Sequence, residues 1–477
     1  MTRNRLLSLV ALCVAMFAMQ SLSAQLRSSY FMEGSYFRTE LNPALVPTRG
    51  YVALPGIGGV GANISSNFLS VEKMYSNDGG ELSSIFHAPD KDMLKALPAT
   101  SKLNLSGNVN LFGLGFYSRK TFWTLGVNAR VQGAARISGD FFGSMMNGGE
   151  VSNTNFHAQN FYEVYLGSSF RVHRNANVGI RAKFLMGGMN IYGDVRSVER
   201  EMSRAIVGGR YTFAGPCVVS GSYDYGTAVG KDELFNTKFK HLTSGVMNVG
   251  VAFDLGTEIR FCNDHLKFSA AITDLGFIDW DGGRMQTMDV DAAFDLSNGS
   301  IDNLFKFENA KVGYKSALKN YDRDDEPTML NYSVNIGLEY NFLHNHFALG
   351  VMSHNEFCNN KMQWHELTAS FNIRPTNWLT ATVSKTLFVG EGYDVWGLAL
   401  NIHPRAINIF VGADFLSPTY VQNSKGAVIF EKTMSRSLYV GVGFNFTRPK
   451  HIRMASATAK AERKEQRKEY KEERKQK

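Results

Sequence analysis

His354, Cys358, His365 and Glu366 carry imidazole, thiol and carboxylate groups of the kind that bind zinc. They straddle two strand-like stretches and a turn with no recognised ligand spacing, so structural roles are expected. The run Asp322-Arg323-Asp324-Asp325-Glu326 is rich in the oxygen ligands calcium prefers, yet it reads as a solvated loop. Gly56-Ile57-Gly58-Gly59-Val60-Gly61 superficially matches a dinucleotide-binding loop, but such a loop must open a helix. Here it falls within a strand pattern with no helix following, and so reads as a strand with room beside it. Asp274, Asp279 and Asp281 offer clustered carboxylates. Period-two placement turns Asp274 to an interior face and leaves the other two near a rim, which suits a hydrogen-bond network better than catalysis. No nucleophile–base pair emerges. The expectation is a protein that is not an enzyme and has no cofactor or metal.

The elements that would position these residues show a clearer pattern. Six times, two alternating apolar–polar stretches are joined by a tight polar turn: Lys102–Arg119 with Thr121–Ile137, Asn160–Arg171 with Asn175–Tyr192, Val246–Arg260 with His265–Trp280, Leu330–Leu343 with His346–Phe357, Lys361–Arg374 with Trp378–Val389, and Tyr393–His403 with Arg405–Leu416. Tyr51–Ser65 precedes them and Ser435–Phe446 follows. The faces separate by period two. Leu103, Leu105, Val109 and Leu111 oppose Asn104, Ser106, Asn108 and Asn110, while Trp396, Leu398, Leu400 and Ile402 oppose Gly397, Ala399 and Asn401. Leu125, Val127, Ala129 and Val131 likewise oppose Asn128 and Arg130, and Ile407, Ile409, Val411 and Ala413 oppose Asn408 and Asp414.

A soluble sandwich would alternate too. These strands run about 10–16 residues, however, where soluble sheets usually have about 5–6. Their second face is Asn, Gly and Ser rather than Lys and Glu, which suits a confined polar lumen. The expected fold is all-β: an antiparallel transmembrane β-barrel of about fourteen strands, with an N-terminal plug and a basic C-terminal tail. Asn104, Asn108, Asn128, Asp274, Asn401, Asn408 and Asp414 are expected to line the lumen. Long connections are expected at Leu69–Ser101, Ser138–Gln159, Gly193–Gly245, Asp281–Met329 and Ser417–Met434, facing outward, with the short turns towards the periplasm. If Ala205–Phe213 and Val218–Tyr225 joined the wall as a hairpin, the strand count would be sixteen.

Arg3 and Arg5, the apolar run Leu6–Met19 and the small residues Ser21–Ala24 form a secretory leader, with cleavage between Ala24 and Gln25 expected. The domains then read as 1–24 leader, 25–50 plug or hatch, 51–448 barrel and 449–477 tail. Beyond the leader, no apolar run reaches the roughly 18 residues a spanning helix needs. Of the formal charge of +8, the leader supplies +2 and residues 450–477 supply +6, so the body is neutral and nucleic acid is not an expected partner. The tail has like-charge neighbours such as Lys464 and Lys468 and no apolar stripe. It reads as a disordered or fraying helical periplasmic segment, or as a cationic contact for an anionic periplasmic partner. Cys217, Cys262 and Cys358 are an odd set for an oxidising compartment and read as unpaired. In the last strand, Leu438, Val440, Val442, Phe444 and Phe446 alternate with Tyr439, Gly441, Gly443 and Asn445.

Two resemblances attach to these residues. Asn42-Pro43-Ala44, ahead of the first strand, resembles the plug segment of long-chain fatty-acid transporter-type barrels. Leu41–Ala44, Thr273–Trp280, Ile336–Tyr340 and Val411–Pro418 together resemble a Bacteroidetes-type family of outer-membrane barrels of unknown function. Phe446 resembles the terminal aromatic signal read by the barrel-insertion machinery, except that a tail follows it. The transporter resemblance implies localisation in the outer membrane with lipid around the wall. It also implies passive uptake of a hydrophobic or amphipathic small molecule past a hatch held by Asn42, Pro43 and Ala44. Other barrels of this appearance anchor secretion or envelope partners, which is the alternative function.

Overall fold

A computed structural model of the chain describes residues 27–68, 75–78, 81–84, 95, 97–202, 209–214, 216–221, 248–262, 264–280, 284–293, 311–322, 328–343, 345–358, 361–416, 420–422, 428–430 and 435–446. Ala24, Gln25, residues 449–477 and Asp324–Glu326 lie outside the described residues. No helix among the described residues is long and apolar enough to cross a membrane.

The alternating stretches form fourteen wall strands. β1 has two pieces, Tyr51–Ala53 and Val60–Ser66. There follow β2 (Thr100–Ser118), β3 (Thr121–Ser138), β4 (Gly149–His173), β5 (Ala176–Met202), β6 (Asn248–Phe261), β7 (Leu266–Asp279), β8 (Tyr332–Phe342), β9 (Phe347–Cys358), β10 (Lys361–Thr376), β11 (Leu379–Phe388), β12 (Tyr393–Ile402), β13 (Ile407–Leu416) and β14 (Ser435–Asn445). Each pairs antiparallel with the next. β14 pairs with both pieces of β1, Val60 opposite Val440 and Tyr51 opposite Asn445, so the sheet closes without an edge. Closure leaves the wall without an open edge, the condition for crossing lipid with strands.

The two faces follow the sequence alternation. On β6, Val249, Val251, Phe253 and Leu255 are exposed outside, while Asn248, Ala252, Asp254 and Glu258 are buried inside. The same apolar exterior continues through Leu338, Val351, Leu398, Val411 and Val440. An apolar outer band around a closed polar-lined wall is the outer-membrane barrel pattern.

Several expectations need correcting. Ser138–Gln159 is not a loop: β3 runs to Ser138, the helix α1 (Gly139–Asn147) turns the chain, and β4 begins at Gly149. Likewise Gly193–Met202 continues β5, giving walls of 25 and 27 residues in β4 and β5, longer than the alternation alone marked. The far end of β5 carries further pairing. Pro216–Gly221 and Gly209–Ala214 pair along β5 beyond Gly187, and both also pair with Arg284–Ala293. They extend the sheet above the wall, because β5 pairs directly with β6 over Ala176–Gly187, and the count stays at fourteen.

The glycine run is not strand throughout. Leu54–Gly59 interrupts β1 as a turn in which Gly58 N donates to Leu54 O at 2.8 Å, with Gly56 at φ +73°. Opposite it, β2 is bulged between Asn110 and Phe112, and Asn110 N donates to Gly59 O at 2.8 Å. A bulge shifts the parity of a strand. That shift returns Phe112, Leu114 and Phe116 to the outer side after Leu103 and Leu105.

Candidate functional site

Inside the wall, Arg27–Gly50 runs as two short 3-10 turns, Arg27–Ser29 and Tyr36–Glu40, joined by irregular chain. Nearly every side chain of this segment is buried, and three sets of polar contacts tie it to the inner faces of different strands.

Near its start, Arg27 pairs in two-point fashion with the buried Glu366 of β10, its Nη2 lying 2.5 Å from Oε1, and its guanidinium sits over the Phe388 ring. Ser28 Oγ donates to Asp414 and lies 2.8 Å from Ser384 Oγ. In the middle, Glu33 pairs with Lys267 and accepts from Asn345 Nδ2 at 2.8 Å, while Arg374 Nη2 donates to Phe31 O at 3.0 Å. Burial by itself would raise the Glu33 carboxyl, but Arg374 and Lys267 hold it well below the usual carboxylate range. Asn408 Nδ2 donates to Gly34 O at 2.8 Å, and Asn401, in the amide orientation that satisfies its neighbours, accepts from Ser35 N at 3.2 Å.

At the third point, Asn42 Oδ1 accepts from Ala44 N at 2.9 Å, an Asx turn that fixes the Asn42-Pro43-Ala44 bend. Its Nδ2 reaches the wall, donating to Thr257 O at 3.2 Å and Ala270 O at 3.4 Å. The wall meets this bend with glycines. A Cβ on Gly179 would lie 2.5 Å from Pro43 O, and one on Gly256 would lie 2.9 Å from Pro43 Cδ. The aromatic rings Tyr36, Phe37, Tyr51, Phe410 and Tyr439 pack between the segment and the β13–β14–β1 wall, with Tyr36 and Tyr51 stacked at 4.3 Å between centroids. Tyr36 OH donates to Gly58 O of the β1 interruption.

The remaining interior carries charge. Arg130 holds Asp274 at two points, 2.6 and 2.9 Å, and Glu163 at 3.0 Å; Lys183 reaches Asp274 at 2.5 Å and Asp254 at 2.8 Å. Asp274 faces inward because of a bulge rather than by plain alternation. It sits at φ +63° opposite the shifted register of Phe253 and Leu255, with its N–H on Asp254 Oδ1 at 2.8 Å. Asp tolerates this left-handed conformation better than most residues. The bulge lets Thr273 and Asp274 both point in while Leu275 and Phe277 face out; Asp279 is exposed and not part of the network.

Asn104 is buried and donates to Glu356 at 2.6 Å; Asn108 donates to Glu40 at 2.7 Å; Asn128 is buried and donates to Glu163 at 2.7 Å. Phe446 lies on the outer surface, its N donating to Gly50 O at 2.7 Å across the closing seam. His354 and Glu366 are register partners with buried side chains, whereas His365 has the opposite parity. No group of three His, Cys, Asp or Glu among the described residues is placed to hold a metal ion. Cys262 and Cys358 are free thiols at opposite ends of the wall. The polar contacts of Glu33, Glu40 and Arg27 with the wall escaped sequence reasoning, because their partners are 68 to 339 positions away.

A closed fourteen-strand wall with an apolar exterior and a filled polar interior defines an outer-membrane β-barrel. The chain belongs to the family of unknown function DUF5723, whose model matches residues 43–414. No curated protein matches it. Among solved structures it is similar to the toluene transporter TbuX of Ralstonia pickettii, at 8% identity over 86% of this chain and 93% of that one, TM-score 0.41. It is also similar to a Pseudomonas aeruginosa FadL homologue (8% identity, 89% and 98% coverage, TM-score 0.40). The translocator domain of the autotransporter NalP from Neisseria meningitidis is a further likeness (8% identity, 88% and 97% coverage, TM-score 0.28). These similarities are too distant to carry any residue's role across.

Proposed function

We propose that this barrel passes small hydrophobic or amphipathic molecules across the outer membrane, with Gln25–Arg49 as a displaceable hatch. The supporting observation is how the segment is held. Between Arg27 and Arg49 it forms turns rather than a strand, and its links to the wall run through side chains such as Arg27, Ser28, Glu33 and Asn42. It can therefore move without unpairing the wall, whose closure runs through β1 and β14. Asn42, Pro43 and Ala44 hold the bend against the β5 and β6 glycines, and the seven polar residues named from the sequence supply the interior surface.

The alternative, a barrel that anchors an envelope partner, relies on the outer loops and on residues 449–477, which lie outside the described residues. A tether separates the two. Cysteines replacing Ser28 and Ser384, whose Oγ atoms are 2.8 Å apart, would lock the segment under oxidation, in a background lacking Cys217, Cys262 and Cys358. Uptake of small amphiphiles into proteoliposomes should stop on oxidation and return with reductant. Passage that continues with the tether closed would sink the hatch.

A further inference from the structure

A cavity of about 90 Å³ opens between the inward segment and the wall, with Phe37 and Leu41 of the segment as its apolar side. The charges of Arg130, Asp274 and Glu40 around it are answered within the protein. Arg130 holds both oxygens of Asp274 and one of Glu163, Lys183 also reaches Asp274, and Glu40 lies in the field of Arg181, Arg130 and Lys183. What is left over is hydrogen-bonding capacity. His354 Nε2, Asn108 Oδ1 and Asn331 Oδ1 are buried without a hydrogen-bond partner among the described residues, as is Arg130 Nε. All four side chains line the cavity.

The role of each leftover atom is fixed by its neighbours. Asn335 Nδ2 donates to Leu41 O at 2.9 Å, which makes its Oδ1 an acceptor. The His354 Nδ1 at 2.6 Å from that oxygen must then carry the proton, and Nε2 is left as a lone pair. Asn108 spends its Nδ2 on Glu40 at 2.7 Å, so its open atom accepts as well. Asn331 exchanges backbone bonds with the Gln132 amide at 3.3 and 3.5 Å, and its side chain takes no part in them. His354 and Asn331 are only 2% and 7% exposed. Buried polar groups normally find partners, so three open acceptors and one open donor call for a ligand that both donates and accepts.

We propose that this cavity binds the head of a neutral, multiply hydroxylated amphiphile, its hydroxyls set among His354, Asn108, Asn331 and Arg130 Nε and its alkyl part along Phe37 and Leu41. As a statement about cargo this rests on the passage reading above; the binding itself does not. A hydroxyl carries one O–H donor and two lone pairs, so a vicinal diol meets two open acceptors and still accepts from Arg130, whereas a single alcohol meets one. A charged head would enter a lining whose ions already answer one another, and its desolvation would go uncompensated. A fully apolar ligand would leave the buried acceptors unmatched. A cavity of about 150 Å³ takes a benzene, so this smaller one takes the head alone, and the chain extends towards the open side.

The test is calorimetric binding to the full mature chain in nanodiscs of neutral lipid, with empty-disc heats subtracted, using 1,2-hexanediol, 1-hexanol, hexylammonium and hexanoate. The additional hydrogen bond should favour the diol over the alcohol by about fivefold, with both ions weaker than the alcohol. Asn331→Leu, which removes one open acceptor and keeps the backbone bonds to Gln132, should bring the ratio of diol to alcohol close to one. If that variant yields no heat-modifiable barrel, His354→Asn, whose shorter side chain withdraws another acceptor, serves in its place. Equal binding of diol and alcohol, stronger binding of either ion, no binding of the diol because water alone fills the cavity, or an unchanged diol preference in the variant would overturn the proposal. Diol binding with entry no faster than into protein-free liposomes would remove the uptake reading and leave this site standing.

Discussion

Asn42 lies directly over Gly256: the amide spans the space a side chain on β6 would fill, and its Nδ2 donates to the neighbouring Thr257 O at 3.2 Å. The bend of the inward segment and the bare backbone of the wall are thus one contact. Gly256→Val should force the bend away at a cost of about 1–3 kcal/mol, typical of overpacking, while the wall ladder stays intact. Protease access to residues 27–49 should rise with heat-modifiability unchanged. A protected segment in that variant would show that the contact does not hold it.

The Arg27–Glu366 pair is fully buried, so removing one partner should hurt more than removing both. Glu366→Gln removes the carboxylate that Arg27 pairs with and should weaken docking by about 3–5 kcal/mol. Arg27→Met with Glu366→Leu should recover much of that loss. Hydrogen exchange of the Arg27–Ser29 amides measures both; equal loss in the single and double variants would contradict this account.

Two carboxyls on the segment respond to pH in opposite senses. The Glu33 carboxyl is held down by Arg374 and Lys267 against its burial, so its contribution to docking is complete above the ordinary carboxylate range and disappears as pH falls through its depressed value. Burial raises the Glu40 carboxyl despite Arg181 and Arg130 nearby, so its contribution is complete below the ordinary range and disappears as pH rises through the raised value. Glu40→Gln should therefore leave a segment that only acid releases, and Glu33→Gln one that acid no longer releases. Segment protease access across pH 3–8 (~) checks both.

Asp274 combines a left-handed backbone with two cationic partners, and substitutions separate the two. Asn keeps tolerance for positive φ but loses the charge, whereas Ala loses both. Asp274→Ala should be the less stable variant by about 1–2 kcal/mol, the left-handed penalty for an ordinary residue. Comparing their unfolding in urea after reconstitution decides it; equal midpoints would mean the bulge relaxes.

Much of the wall can be read in the chain itself. Period-two alternation, such as Val249–Leu255 against Asn248–Asp254, fixes which side meets lipid, because lipid tolerates only apolar groups outward, and the strand count follows from the turns between such stretches. Asn42-Pro43-Ala44 also stands out, since an Asx turn is a local structure. Other features depend on where the chain returns. The glycine run Gly56–Gly61 could not reveal its interruption, because the turn at Leu54–Gly59 is matched by a bulge at Asn110 on another strand. Asp274 turns inward only because β7 carries an extra residue there, Thr273 and Asp274 together lying opposite Asp254 of β6. The pairing of Glu33 with Lys267 and of Arg27 with Glu366 joins residues that closure of the barrel brings together. Alternation is a property of neighbours along one strand, and so the sequence determines it. Which charge fills which place in the lumen depends on how fourteen strands wrap around a segment, and only the tertiary structure decides that.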